Sequence, residues 1–372
     1  MSQSYVIRLS VATELIGIAY QLTRGVMETR QLGDTDVQVS AICLGTMTWG
    51  RQNTEEEAFA QMDFAFDKGV NFFDTAELYP IPPEADTQGR TETMIGNWFE
   101  KTGKRHDIIL ATKVVGRSNM TWFRDNGDEP ELTRPQIMEA IDKSLLRLKT
   151  DYIDLYQLHW PDRPLPIFGG LGYQHFGDEI NRIEDTLGIL DELKQSGKVR
   201  HFGLSNETPW GTMKFLHYAE TKNLPRVVSV QNAYNFLNRI YELGGSEIYH
   251  RDKVGLLAYS PLAQGYLTGK YQKGAIPVGS RKYIAPRLNR YETPGTEEAV
   301  DKYLALANKY GLNPAQLAIQ FVTTRPFVTS NIIGATSMEQ LEIAISSIDV
   351  ELNDDILSDI EEIHLSASNL CP

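Results

Sequence analysis

Eight times after residue 40, an apolar strand-like run gives way to a stretch of helical periodicity, and this alternation constrains the fold more than anything else in the chain. The runs are 41–47, 70–74, 108–113, 152–159, 199–204, 227–231, 254–259 and 329–333. Helical patterns occupy 54–68, 90–101, 134–148, 182–196, 209–220, 296–310, 314–323 and 338–346, and 354–364 closes the chain. Segment 238–250 stands where a helix is due but carries Gly244 and Gly245 inside it. Local chemistry agrees with the pattern: Thr54 with Glu57 and Thr133 with Gln136 have capping-box spacing, and Gly69 stops the first helix. Ile137, Ile141, Leu145 and Leu148 keep one apolar stripe. Strands separated by helices pair in parallel, because parallel neighbours need crossover connections. Eight such units favour closure into an α/β fold of the (β/α)8 TIM-barrel type. An open dinucleotide-binding sheet would want a glycine fingerprint after its first strand, and here that strand ends Leu44, Gly45, Thr46, Met47. Ahead of the barrel, Arg30 to Val39 reads as two short strands about a Gly33-Asp34 turn, a hairpin.

The chain has 372 residues, which suits one barrel domain over 27–372 preceded by an extension over 1–26. That extension has an apolar run from Val11 to Tyr20 broken by Glu14 and no clear cleavage site, so it does not read as a signal peptide. With a formal charge of −13 and pI near 5.1, the protein is a poor electrostatic partner for nucleic acid or an anionic membrane. Its two cysteines, Cys43 and Cys371, exclude a disulfide framework and fit the reducing cytoplasm. We expect a chain beginning at Met27 to fold and act like the full-length one. The composition leaves the oligomeric state open.

Chemistry gathers at strand ends. Asp74 ends the second run, Lys113 the third and His159 the fourth, while Tyr79 follows in the loop after Asp74. In a barrel all of these lie at the C-terminal mouth, where barrel active sites form. Singly each has an ordinary explanation: an Asp there caps a turn, a Lys reaches to water, a His is a satisfied structural group and a Tyr packs. Together they are different, because neighbouring ionisable groups shift one another's pKa values for acid–base work.

Residues 71–79 (Asn-Phe-Phe-Asp-Thr-Ala-Glu-Leu-Tyr), 111–113 (Ala-Thr-Lys) and 155–161 (Leu-Tyr-Gln-Leu-His-Trp-Pro) resemble the catalytic segments of aldo-keto reductases. The likeness continues through Gly203-Leu-Ser-Asn, Val230-Gln-Asn, 258–265 (Ala-Tyr-Ser-Pro-Leu-Ala-Gln-Gly) and Ile333-Gly-Ala-Thr. The long loop after Tyr79 is similar to the Tas-type branch, related to the potassium-channel β-subunits. The resemblance implies NADPH-dependent reduction of an aldehyde or ketone carbonyl. Tyr79 would be the general acid, Lys113 would lower its pKa, Asp74 would hold Lys113, and a neutral His159 would orient the small-molecule substrate. The alternative is an NADPH-binding regulatory or sensor subunit with little turnover. The resemblance also gives the hairpin the role of capping the N-terminal end of the barrel.

For the cofactor, the resemblance carries Thr46, Met47, Asp74, Ser205, Asn206 and Gln231 to the nicotinamide end, with Tyr259 stacking on its ring. Ser260, Leu262, Gln264 and Gly265 would meet the pyrophosphate with backbone N–H groups. Lys270 and Arg281 would pair with phosphates, and Gly334, Thr336 and Gln340 would meet the cofactor where the last barrel helix starts. One departure stands out: the family places Glu-Asn where this chain has Ile343 and Ala344, so adenine loses its usual polar contacts. Other motifs fail. Gly203 to Glu207 lacks the second glycine of a nucleophile elbow, and the seven histidines show no metal-ligating spacing, so no metal is expected. Trp49, Trp122 and Trp160 are candidate pocket aromatics, whereas Trp98 is expected in the core.

Overall fold

In the computed structural model, residues 25–371 are described, apart from 167, 169, 171, 173–181 and 287–288. Nearly all of the 1–26 extension therefore lies outside the described residues. Strands β1 (Thr29–Gln31) and β2 (Gln38–Ser40) form the expected antiparallel hairpin. Eight parallel strands close the barrel: β3 (Ile42–Gly45), β4 (Phe72–Asp74), β5 (Ile109–Val114), β6 (Ile153–Leu158), β7 (Val199–Ser205), β8 (Val227–Ala233), β9 (Gly255–Tyr259) and β10 (Val328–Ile333). They neighbour one another in chain order, and β10 pairs back onto β3.

Helices α1 (Glu55–Asp67), α2 (Arg90–Thr102), α3 (Arg134–Leu148), α4 (Ile183–Gln195) and α5 (Pro209–Lys222) follow β3 to β7 in turn. After β8 the glycine pair divides the expected helix. A 3-10 turn spans Ile240–Leu243, and α6 (Gly245–Asp252) restarts beyond Gly244. The long segment after β9 carries 3-10 turns at Ala263–Thr268 and Gln272–Gly274 and the short helix α7 (Arg281–Ile284) before α8 (Thr296–Lys309) and α9 (Pro314–Thr323). The chain closes with α10 (Met338–Ile345) and the extra helix α11 (Asp354–Ser366).

One capping box forms and the other does not. The Thr54 hydroxyl accepts from Glu57 N while the Glu57 carboxylate accepts from Thr54 N, as the spacing predicts. Thr133 occupies the cap position of α3 without a side-chain bond. Gln136 instead accepts from Glu131 N at 2.8 Å and donates to Glu129 O at 3.0 Å. The preceding loop takes the side chain that the helix end was expected to use.

Side chains alternate along each strand, so the barrel has two environments. Outward residues such as Ile42, Leu44, Phe73, Leu110, Leu204 and Ala258 join the large core beneath the helices. The lower interior is apolar, made by Cys43, Phe72, Ala111, Leu155, Leu257 and Ile332. Leu32 and Val39 of the hairpin enter that same cluster and are fully buried, so the hairpin plugs the N-terminal end. Above it, Gly203 stands opposite Gln157 in the register, and a Cβ there would lie 2.7 Å from Ser229 Oγ and 3.2 Å from Gln157 Cγ. The missing side chain leaves room for a polar layer on top of an apolar one.

Candidate active site

The polar layer centres on Lys113, which is completely buried at the end of β5. Its ammonium donates to Asp74 Oδ2 at 2.7 Å, to Thr75 O at 2.8 Å and to the Tyr79 hydroxyl at 3.3 Å. The other Asp74 oxygen accepts from Gln157 Nε2 at 3.1 Å and from Gln231 Nε2 at 2.8 Å. Strands β4, β5, β6 and β8 thus each contribute to one hydrogen-bonded network. A buried charge is tolerated only when paired and bonded in this way.

Burial pushes the Lys113 pKa down, but Asp74 and Tyr79 outweigh it and the net shift is upward, so the ammonium stays charged at neutral pH. Tyr79 corrects the sequence expectation. Lys113 does lower its pKa, yet burial raises it more, and the phenol sits above its usual value of 10.0. The proton is therefore held firmly at neutral pH rather than poised to leave.

His159 lies just beyond β6, its ring 5.9 Å from that of Tyr79 in an edge-to-face arrangement. Burial first, and the Lys113 charge second, drive its pKa well below 6.5, so the imidazole is neutral. Its Nδ1 is buried without a hydrogen-bond partner. Such an atom is unusual in a packed interior and marks a place where a ligand completes the bonding. Leu78, Val115, Phe123 and Trp160 pack around Tyr79 as an apolar collar. Among the candidate tryptophans, Trp160 lines this mouth and Trp122 is 40% exposed. Trp49 does not line it: the ring is fully buried in the outer core and donates to Gln61. Trp98 is in the core as expected.

The residues assigned to the nicotinamide end surround the same opening. Thr46 Oγ1 donates to Asp74 O, and Ser205 Oγ donates to Gln231 O. Asn206 donates to His159 O at 2.8 Å and accepts from the Tyr259 hydroxyl at 2.6 Å, and Arg290 donates to that hydroxyl at 3.0 Å. A cavity of about 240 Å³ adjoins them, walled by Asn206, Asn232, Ile240, Tyr241, Tyr259 and Phe168.

Beyond β9 the backbone runs through positive φ at Ser260, Ala263, Gln264 and Gly265, turning the chain tightly around Leu262. Gly265 differs from the sequence expectation, because its N–H already donates to Leu262 O at 2.8 Å. What it offers a ligand is close approach: a Cβ there would lie 2.5 Å from Lys270 Cε. Lys270 is exposed. Arg281 opens α7, reaches Met47 Sδ at 3.8 Å, and has a buried Nε with no partner. Gly334 and Gln340 are exposed beside α10, where the Gln340 carboxamide accepts from Thr336 N at 3.0 Å. Ile343 is half-buried and Ala344 buried, with no polar group to offer a base. An orphaned guanidinium nitrogen, an unpartnered imidazole and a tight turn with a glycine at close approach fit the polar and phosphate groups of a nicotinamide dinucleotide.

Residues 41–365 match the model of the aldo/keto reductase family. The chain belongs to that family. It is similar to Protein tas of Escherichia coli, 46% identical over 342 residues that cover 91% of this chain and 98% of that one. An uncharacterized oxidoreductase of Bacillus subtilis, YrpG, is 34% identical over 91% of this chain and 96% of its own. A probable voltage-gated potassium channel subunit beta of Arabidopsis thaliana is 30% identical with the same coverage. As a member of the aldo/keto reductases, the protein is an oxidoreductase of the barrel class. Among the described residues, no helix is long and apolar enough to cross a membrane.

Proposed function

We propose that this aldo/keto reductase reduces aldehyde or ketone carbonyls with NADPH, using Tyr79 as the general acid. The observation that carries the reading is the buried Lys113 bonded to both Asp74 and Tyr79, with the neutral His159 beside them. Bound NADPH would supply the hydride. Thr46, Met47, Asp74, Ser205, Asn206, Gln231 and Tyr259 would hold its nicotinamide end, the 260–265 turn its pyrophosphate, and Lys270 and Arg281 would pair with its phosphates. Gly334, Thr336 and Gln340 would face the adenosine half.

As charge develops on the substrate oxygen, the Tyr79 hydroxyl donates its proton there. Lys113 stabilises the phenolate that remains, and Asp74 keeps the ammonium charged and aimed. His159 donates from its neutral ring to the same oxygen and fixes the substrate's pose. A phenol with a raised pKa retains its proton until the oxygen demands it. The apolar collar of Leu78, Phe123 and Trp160 keeps water from competing. Two buried free cysteines suit a reducing compartment, and we place the protein in the cytoplasm.

The test is NADPH consumption against a panel of aldehydes, ketones and quinones, with Tyr79→Phe as the control. Tyr79→Phe should lower kcat by about two orders of magnitude or more while leaving cofactor affinity nearly unchanged. Near-normal turnover by a folded Tyr79→Phe protein would remove Tyr79 from the role. The channel-subunit relative favours a second reading, a cofactor-binding sensor. Tight NADPH binding without consumption on any carbonyl would support it.

A further inference from the structure

Two residues before Tyr79, the carboxylate of Glu77 is 1% exposed, and it meets the guanidinium of Arg124, which is fully buried. Arg124 NH1 donates to Glu77 Oε2 at 3.0 Å and NH2 to Oε1 at 3.1 Å, a bidentate pair. Oε1 also accepts from Val115 N at 2.8 Å, the residue two beyond Lys113. The Glu77 backbone makes two further ties. Its N–H donates to Lys113 O at 3.2 Å, and its carbonyl accepts from Gln88 Nε2 at 2.6 Å. The Glu77 N–H and carboxylate therefore tie the Tyr79 loop to the end of β5 at Lys113 O and Val115 N, while its carbonyl braces that loop against Gln88.

Arg124 reaches in from the loop between β5 and α3, and Gln136 Oε1 in the first turn of α3 accepts from its Nε at 3.3 Å. That loop also carries Phe123, part of the collar around Tyr79. A desolvated ion pair is a poor source of stability, since apolar residues of similar volume do as well or better. What it supplies is direction. Two charges that must meet in a low-dielectric interior allow only one register between the segments that carry them.

We propose that the Glu77–Arg124 pair is a positioning device that sets the Tyr79 hydroxyl against the Lys113 ammonium. The proposal rests on the assignment of Tyr79 as the acid. Neither residue touches the reacting atoms; both act through Tyr79 and Lys113. The 3.3 Å contact between phenol and ammonium is the longest of the Lys113 bonds, so it has the least intrinsic hold and depends most on the framework around it.

The test uses the full-length chain and the double variant Glu77→Gln with Arg124→Met, which removes both charges and keeps an acceptor for Val115 N. The readouts are melting temperature, ultraviolet difference titration of Tyr79 (each protein minus its Tyr79→Phe counterpart), and kcat and KM on a carbonyl that the wild type reduces. Tyr79 faces Lys113, Asp74, His159 and Arg281, and only its distance to Lys113 is meant to change. A looser Tyr79–Lys113 contact weakens the ammonium's downward pull, so the Tyr79 titration should move to higher pH. We expect kcat to fall about tenfold to a hundredfold, as for a misplacement near 1 Å, with cofactor affinity unchanged. Arg124→Lys should recover part of both effects. Glu77→Asp, which keeps the charges and shortens the reach, should move the titration the same way by less, and it serves if the double variant does not fold. A folded double variant with an unmoved titration overturns the proposal, even if kcat falls. The acid assignment fails separately, by normal turnover in Tyr79→Phe alone.

Discussion

The two halves of the barrel interior are built from the same strands and behave as different solvents. In the lower half, Cys43, Phe72, Ala111, Leu155, Leu257 and Ile332 meet the hairpin's Leu32 and Val39 in one apolar cluster. Two residues further along the same strands, Gly45, Asp74, Lys113 and Gln157 point inward, and Asp74, Lys113, Gln157 and Gln231 form one closed network. The lower half is held by area and shape and tolerates exchange of one hydrocarbon for another. The upper half is held by mutual satisfaction of polar groups and loses much when one member goes. Stability is concentrated below and chemistry above, and the apolar floor is what makes the charges above it strong.

The sharpest way to break this contrast is Lys113→Met. It leaves the Asp74 carboxylate buried without its cation, so the protein should lose about 3–5 kcal/mol in chemical denaturation, and turnover should vanish. Adding Asp74→Asn should restore much of the stability and none of the activity. A single variant as stable as wild type would show that the network carries no charge.

The mirror experiment lies in the floor. Phe72→Ala should cost a similar 3–5 kcal/mol, through lost contact and an unfilled cavity, while kcat per folded molecule stays within about twofold. A large kcat loss at low temperature, where the variant is folded, would mean that the two halves are not separable.

Arg281 tests the rim, where charge meets a mobile ligand rather than a fixed partner. Arg281→Ala should weaken binding of NADPH and NADH alike by about 1.5–3 kcal/mol, measured by fluorescence titration, because its guanidinium lies beside Met47 and Tyr79. A loss confined to NADPH would instead assign Arg281 to the 2′-phosphate.

The smallest effect concerns His159 and pH. Its folded-state pKa is depressed by burial below the usual 6.5, so the unfolded chain takes up a proton first as the pH falls. The stability tied to its neutral form is complete above about pH 6.5 and drains away below it, by up to about 1.4 kcal/mol per pH unit until the folded-state pKa is reached. Denaturation midpoints should therefore fall less between pH 7 and pH 5 (~two units) for His159→Gln than for wild type. Parallel curves would show that His159 titrates normally in the folded protein.

Several of these features are legible in the sequence. Period and length placed the strands and helices, because alternation of apolar runs with amphipathic helices has few packings. Asp74, Lys113 and His159 announced themselves as ionisable groups at successive strand ends. Glu77 did not. It is one acidic residue in a loop, and nothing in its neighbourhood tells that Arg124, 47 positions away, is its partner. Gln136 misled in the opposite sense, since its spacing from Thr133 is that of a cap and its use is to hold a loop. Trp49 likewise read as a mouth aromatic and is core.

The sequence by itself determined the barrel, the hairpin ahead of it and the rim on which the ionisable groups fall, since these follow from local periodicity and the two-residue alternation of strands. Only the tertiary structure decided the electrostatics of that rim. Whether Tyr79 sits above or below its usual pKa depends on burial against a single ammonium, and burial wins. Whether His159 is charged depends on how much water reaches it, and whether Glu77 and Arg124 meet depends on two loops from different strands closing over one another. Solvation and long-range pairing are properties of the assembled interior, and no window of the chain contains them.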